Sequence, residues 1–332
     1  MSSTSTLISD GVELQPFQTA DVTRHIKEIP KGVQMIQAPA FWEKGQYGRG
    51  VKIAVLDTGC DKDHPDLKDR IVGGRNFTDD DGGNKESFKD YNGHGTHVAG
   101  TIAATKNDNG VVGVAPEASL IILKVLNREG SGRPEWIAEA IDYAIEQQAQ
   151  IINMSLSAGA GHEAMHEAIK RAVDKGIIVV CAAGNSEKNE KRYPAAYNEC
   201  TSVGAVDFSG KQAHFLTENN EVDITAPGVN ILSCYPLDLV PNRNEPYKVI
   251  SGTSMSSPHV AGALALVLNY YQSETQFNRT LTEDELYAQI VRCTLPLGSP
   301  KTSEGNGLLF LTARELLAEY WRNNKPDLTQ YS

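Results

Sequence analysis

The sequence predicts an α/β fold with a mostly parallel central sheet covered by helices on both faces. Three observations lead there. The apolar runs at 51–59, 151–156 and 177–183 are nearly continuous, as in strands buried on both faces. Segments with apolar residues at helical spacing alternate with these runs. At 332 residues and 40% hydrophobic content, the chain can bury one large core.

The first run, Val51-Lys52-Ile53-Ala54-Val55-Leu56-Asp57-Thr58-Gly59, ends in a carboxylate followed by glycine. Open parallel sheets bind ligands beyond the carboxyl ends of their strands, so Asp57 stands where an active-site acid would. A cap or turn residue is the plain alternative. In Asn92-Gly93-His94-Gly95-Thr96-His97-Val98-Ala99-Gly100, small residues around His94 let backbone or substrate come close, and 97–104 reads as a helix. Two histidines three apart could instead face one metal ion, although no third ligand is obvious nearby. Residues 134–148 carry Trp136, Ile137, Ala140, Ile141, Ala144 and Ile145 at helical spacing. A strand at 151–156 and a helix at 162–175 follow, the latter with Met165, Ile169, Ala172 and Val173 on one face. The strand at 177–183 runs into Gly184-Asn185, which alone reads as a turn. Ser251-Gly252-Thr253-Ser254-Met255-Ser256-Ser257-Pro258-His259-Val260-Ala261-Gly262 then puts a serine on a tight turn ahead of a helical run at 260–267. There its oxygen is exposed and the helix N-terminus favours negative charge, although such turns also cap helices.

Asp57, His94 and Ser254 together supply what acyl transfer needs. A serine hydroxyl is a poor nucleophile at neutral pH. A histidine must take its proton and later protonate the leaving group, and a carboxylate must hold the imidazole in the right tautomer. The order Asp, His, Ser is one of the known arrangements.

These motifs resemble the subtilisin family of serine proteases over roughly 30–307, most of the chain. The resemblance implies a subtilisin-like three-layer fold and serine endopeptidase activity through an acyl-enzyme. Asp57, His94 and Ser254 fall on the family's triad, Asn185 on its oxyanion asparagine, and His97 and His259 on structural histidines. The absent signal peptide, the short N-terminal extension, Asn76-Phe77-Thr78-Asp79-Asp80-Asp81-Gly82-Gly83, Cys60 and Gly305-Asn306-Gly307-Leu308-Leu309-Phe310-Leu311-Thr312 look like the intracellular subtilisins of bacilli. That branch implies an inhibitory extension at 1–28, a catalytic domain at 29–312 and a C-terminal extension at 313–332. Its cleft-crossing motif matches Leu14-Gln15-Pro16-Phe17 at two of four residues; Pro16 would kink the strand so that nearby peptide bonds miss Ser254. A structureless tail is the alternative. The branch also implies a homodimer, in part through the helical pattern at 313–322.

Family members bind the peptide as an added strand, here between Gly130-Ser131-Gly132 and Ser155-Leu156-Ser157. Where the family has Ser-Leu-Gly-Gly, this chain has Ser155-Leu156-Ser157-Ala158, which narrows or polarises the first specificity pocket beside Gly184. Ser186 replaces a frequent glutamate, and Arg192 lies near the pocket floor. These changes predict acidic or polar side chains before the cleaved bond, unless Arg192 extends into water. Calcium is implied at Asp66 and Asn107 with the carbonyls of Thr105, Asn109 and Val111. Lys27, however, stands at the family's glutamine ligand. A weaker site for Ca²⁺ or Na⁺ is implied at Glu221 and Asp223 with the carbonyls of Ala195, Tyr197 and Cys200. Solvated acids are the alternative for both. Asp79 to Asp81 reads as a charged loop.

A net charge of −11 without a Lys/Arg-rich run argues against nucleic acid and anionic membranes as partners, leaving protein and peptide substrates. No run reaches the roughly 18 apolar residues of a membrane span. Five cysteines without paired spacing (Cys60, Cys181, Cys200, Cys234, Cys293) suit a reducing, cytoplasmic setting. Cys60 reads as a buried structural thiol or, less simply, a reactive one. Two readings from other classes remain: a subtilisin-fold protein that binds or regulates without cleaving, and a metal hydrolase using Asp57, His94 and His97.

Overall fold

A computed structural model describes residues 11–22, 25–186, 190–217, 219–273 and 279–324. Its centre is a nine-stranded sheet. In spatial order the strands are Thr294–Leu295, Leu308–Leu309, Ile224–Pro227, Cys200–Val206, Ile178–Ala182, Ile151–Met154, Lys52–Asp57, Ser119–Lys124 and Ile71–Asn76. All neighbours pair in parallel except Thr294–Leu295, which runs antiparallel at one edge. Side chains alternate across the sheet. Ile53 and Val55 join a core with Val98 and Ile102 of the helix His94–Ala103 and Val260 and Leu264 of the helix Thr253–Ser273. Ala54 and Leu56 face the other side, against Ile137 and Ile141 of Pro134–Glu146 and Met165 and Ile169 of Glu163–Asp174. The predicted three layers are therefore present, and the apolar runs are the strands buried on both faces.

Two helices begin earlier than periodicity predicts. The helix at 94–103 opens on His94 itself, because Gly93 adopts φ 100° at its N-cap. A Cβ on Gly93 would also lie 2.1 Å from the Tyr235 ring, so only glycine fits this turn. The other helix starts at Thr253 and passes through Pro258. Pro258 has no N–H to offer the Ser254 carbonyl, and the Ser155 hydroxyl donates to that carbonyl instead, at 3.0 Å. Ser254 thereby sits in the first turn of a 21-residue helix rather than in a loop before it.

The N-terminal segment belongs to the fold. Val12–Glu13 pairs antiparallel with Ser131–Gly132, and Gln18–Asp21 adds antiparallel to Tyr247–Ser251 beside Ile231–Cys234. A structureless tail is thus excluded for the described part of the segment.

Candidate active site

Asp57 ends its strand, Ser155 follows Ile151–Met154, and Asn185 follows Ile178–Ala182. All three therefore gather at the carboxyl edge of the sheet, beside the starts of the helices carrying His94 and Ser254. Asp57 and His94 are fully buried, and the His94 Nδ1–H donates to Asp57 Oδ1 at 2.8 Å. The Thr58 N–H gives the same oxygen a second bond at 2.7 Å. These two donors fix the carboxylate, which in turn fixes the imidazole tautomer.

The structure does not join His94 to Ser254. The Ser254 hydroxyl donates to the Ser155 carbonyl at 3.2 Å, and His94 Nε2 is buried without a protein partner. The ring of Phe17 lies over His94, with centroids 5.2 Å apart. Catalytic hydrogen bonds are often loose without substrate, so the separation does not disqualify the pair.

Asn185 is oriented from behind. Its Oδ1 accepts from the Thr253 N–H at 2.9 Å and the Thr253 hydroxyl at 2.7 Å, which turns the amide NH₂ outward. That NH₂ donates to the carbonyl of Pro16 at 3.1 Å. Gly184 reaches this arrangement at φ +116°, and its N–H bonds the Thr253 hydroxyl at 3.1 Å.

Three residues that pattern reading missed hold the machinery. Asp90 Oδ1 accepts from the Thr58 hydroxyl and the N–H groups of Asn92 and Gly93; its Oδ2 accepts from the N–H and hydroxyl of Thr96. Asp90 is thus the anchor of the turn before His94, and Thr58 and Thr96 tie it to the Asp57 strand and the His94 helix. Asp90 preceding Asn92-Gly93 was the available signal, since a carboxylate there can satisfy the N–H groups that open a helix.

His97 does not join a metal site with His94. Its Nε2 faces the carbonyls of Ile231 and Lys248, at 3.0 and 3.2 Å. Burial lowers its pKa to about 3 and keeps the ring neutral. His259 is likewise buried, against the Met255 carbonyl at 2.7 Å, with its pKa lowered to about 4. Burial pushes the Cys60 thiol well up, with Asp90 adding to the shift, so the structural reading of Cys60 stands. All five cysteines are free and buried.

The groove predicted at Gly130-Ser131-Gly132 and Ser155-Leu156-Ser157 is filled by the chain's own segment. Glu13 and Ser157 exchange backbone bonds at 2.9 and 3.0 Å, and the Leu14 N–H reaches the Gly130 carbonyl at 2.9 Å. Val12 is buried in the helical core on that side. Extending this register places Gln15, only 5% exposed, opposite Ser155. The carbonyl that Asn185 holds nevertheless belongs to the next residue, Pro16.

Arg192 packs beside Gly184, with its Cγ 3.0 Å from where a Cβ on Gly184 would lie. It pairs with Glu190, which offsets the charge expected there, so it is not the free cation anticipated from sequence. Arg192 Nε and the buried Ser157 hydroxyl have no protein partner.

The residues implied as cation ligands are engaged in hydrogen bonds and one ion pair within the protein. Asp66 Oδ1 accepts from the Asn107 amide at 3.0 Å; Asp66 Oδ2 accepts from the Val111 N–H at 3.1 Å and the Tyr247 hydroxyl at 3.0 Å. Asn107 Oδ1 accepts from the Asn109 N–H, and the Thr105 N–H bonds the Asp66 carbonyl. Hydrogen-bond donors thus surround the carboxylate where a metal would need open oxygens. In the weaker set, Asp223 accepts from Ser202 N–H and Tyr287 hydroxyl, each at 2.8 Å, and Glu221 pairs with Lys191 at 2.8 Å. The Tyr197 carbonyl accepts from the Cys200 N–H at 3.0 Å.

Residues 48–309 match the model of the Subtilase family. The chain is 56% identical over 312 residues to "Intracellular serine protease" of Paenibacillus polymyxa, covering 92% of this chain and 93% of that protein. It is 51% identical over 314 residues to "Major intracellular serine protease" of Bacillus subtilis (strain 168), covering 93% and 96%. Identity to "Thermostable alkaline protease" of Halalkalibacterium halodurans is 43% over 281 residues, covering 85% and 72%.

Proposed function

The chain belongs to the subtilase family and is a subtilisin-like serine protease, and from that premise we propose a triad of Asp57, His94 and Ser254 in a precursor inhibited by its own N-terminal segment. Ser254 Oγ bonds to the substrate carbonyl carbon as its proton passes to His94 Nε2. The Asn185 amide and the Ser254 N–H stabilise the oxygen that gains charge. His94 then protonates the departing amine and leaves an acyl-enzyme, which water cleaves by the same steps in reverse order. Asp57 keeps the Nδ1–H in place throughout.

One observation carries the inhibited-precursor reading: the strand register and the oxyanion contact disagree by one residue. Pairing with Ser157 and Gly130 sets Gln15 as the residue before the cleaved bond, yet Asn185 holds the Pro16 carbonyl. No carbonyl is therefore placed in both the strand register and the oxyanion contact. The fixed φ of Pro16 supports the slip. Pro16→Ala is expected to restore the register and turn the segment into a substrate. The full-length variant should then become active at least about tenfold sooner than the native chain. An unchanged lag in an activity time course would count against the frame slip.

The pocket supports small or polar residues before the cleaved bond. Arg192 beside Gly184 limits depth, while the Ser157 hydroxyl and Arg192 Nε offer hydrogen bonds. Because Glu190 already balances Arg192, an amide is favoured over a carboxylate. Matched peptides should show kcat/KM about tenfold higher for Gln than for Phe, with Glu between them. A strong Phe preference would refute this.

We place the enzyme in the cytoplasm, supported by its buried unpaired cysteines and the printed names of two relatives. The C-terminal helix Ala313–Asn323 supports a homodimer: Leu316, Leu317, Tyr320 and Trp321 are 48–64% exposed. Trp321→Glu is expected to shift sedimentation from dimer to monomer, and a native monomer at the same concentration would end the idea. No step of the mechanism uses a cation.

A further inference from the structure

Lys124 is fully buried at the end of the strand Ser119–Lys124, beside Asp57 in register. A buried ammonium needs acceptors for its N–H groups and a balancing charge, or its desolvation is uncompensated. Two acceptors are in place, the Thr58 carbonyl at 2.6 Å and the Leu126 carbonyl at 3.1 Å, and the charge is balanced by Asp80, whose Oδ2 lies 3.1 Å away as an ion-pair partner without a hydrogen bond. Asp80 is the middle residue of the acidic loop 79–81, and it is 8% exposed rather than solvated. Its other oxygen pairs with Arg128 at 3.2 Å, and its carbonyl accepts from the Asn76 amide at 3.0 Å. The Tyr91 ring lies against both cations, 5.8 Å from Lys124 and 4.7 Å from Arg128.

The contact with Thr58 bears on catalysis. The Thr58 N–H holds Asp57 Oδ1, and the Thr58 hydroxyl connects Asp90 to the Gly95 N–H on the His94 helix. Lys124 therefore grips the one residue that touches the acid and its anchor and also reaches the histidine helix. Besides Asp57 and Lys124, the groups around His94 are Asp90, the buried thiol of Cys60, neutral His97 and the Tyr235 phenol against Gly93. Asp61 bonds Thr96 through its N–H, and Asp80 pairs with Arg128. Lys124 is the one fully buried cation among them.

We propose that Lys124, held by Asp80, is a positioning residue for the triad: it fixes the Thr58 carbonyl and sets the charge against which His94 takes its proton. The proposal rests on the triad reading above. It gives the acidic loop a task that its composition alone did not suggest.

A positive charge beside the triad disfavours the imidazolium, and the negative charge of Asp80 offsets that effect. Removing each should therefore move the acid limb of the kcat/KM–pH profile in opposite directions. A merely structural ion pair would lose stability equally from either side and shift neither limb. The full-length chain, incubated until activity reaches its plateau, would be compared with Lys124→Met, Asp80→Asn and Ser254→Ala. Lys124→Met should lower kcat about tenfold, leave KM within about twofold and raise the acid limb by roughly half a pH unit. Asp80→Asn should lower the acid limb by a similar amount. If both limbs coincide with the native one, or both move the same way, the proposal is overturned. If Lys124→Met does not fold, Asp80→Asn decides alone: a lowered limb supports the proposal, and a fixed or raised one ends it. Activity surviving in Ser254→Ala would instead overturn the triad reading, which separates the two failures.

Discussion

Ser254→Ala is expected to abolish casein hydrolysis and to keep the N-terminal segment attached. The argument is local. Ser254 sits in the first turn of a 21-residue helix, whose unpaired N–H groups favour a developing oxyanion and cannot replace a missing nucleophile. Triad members act as a unit, so the loss in kcat should be of the order of 10⁶, a magnitude carried over from the family rather than derived from this geometry. Mass spectrometry of both forms incubated with Ca²⁺ is the check. The native chain should shorten as activity appears, while the variant stays whole. A variant that shortens by itself would remove Ser254 from the role of nucleophile. Two intact chains without activity would revive a protein that binds and does not cleave.

Asp57→Asn is the second large effect, about 10⁴ in kcat with KM little changed. Asp57 Oδ1 receives two donors, His94 Nδ1–H and Thr58 N–H. An asparagine oxygen in that place keeps both bonds and loses the charge that stabilises the imidazolium. An amide nitrogen there would face two donors and force the other tautomer on His94. The first outcome weakens the base and the second removes it. Burial leaves no water to substitute, so the loss should persist at high pH. A reduction below about tenfold in steady-state assays would mean that Asp57 only shapes the turn.

Much of this site was legible because its chemistry is punctuated locally. Asp57 closes an apolar run, His94 lies among glycines, and Gly184-Asn185 ends a strand. What stayed hidden depends on partners far along the chain. The starts of the helices carrying His94 and Ser254 follow from Gly93 being left-handed and from Ser155 substituting for the donor that Pro258 lacks. No periodicity encodes either. The pairing of Arg192 with Glu190 lies only two residues away, yet a charged loop gives no hint of which charges face each other. Asp66 shows the reverse hazard. Family ligands are present at Asp66 and Asn107, but Tyr247, 181 residues on, supplies a hydroxyl to the same carboxylate.

If the N-terminal segment inhibits as proposed, the way its strands lie in the cleft would also set how sharply the enzyme switches on. Val12–Glu13 and Gln18–Asp21 grip the two sides of the nucleophile through short pairings, each weak by itself. While the segment is part of the same chain, its effective concentration at the cleft is on the order of millimolar, enough for weak contacts to hold. One cut turns it into a free peptide at the concentration of the enzyme itself, where those contacts fail. On the inhibited-precursor proposal, inhibition would be held by connectivity more than by affinity. The proposal then expects each cut molecule to stay active, with activation running in one direction by dilution alone.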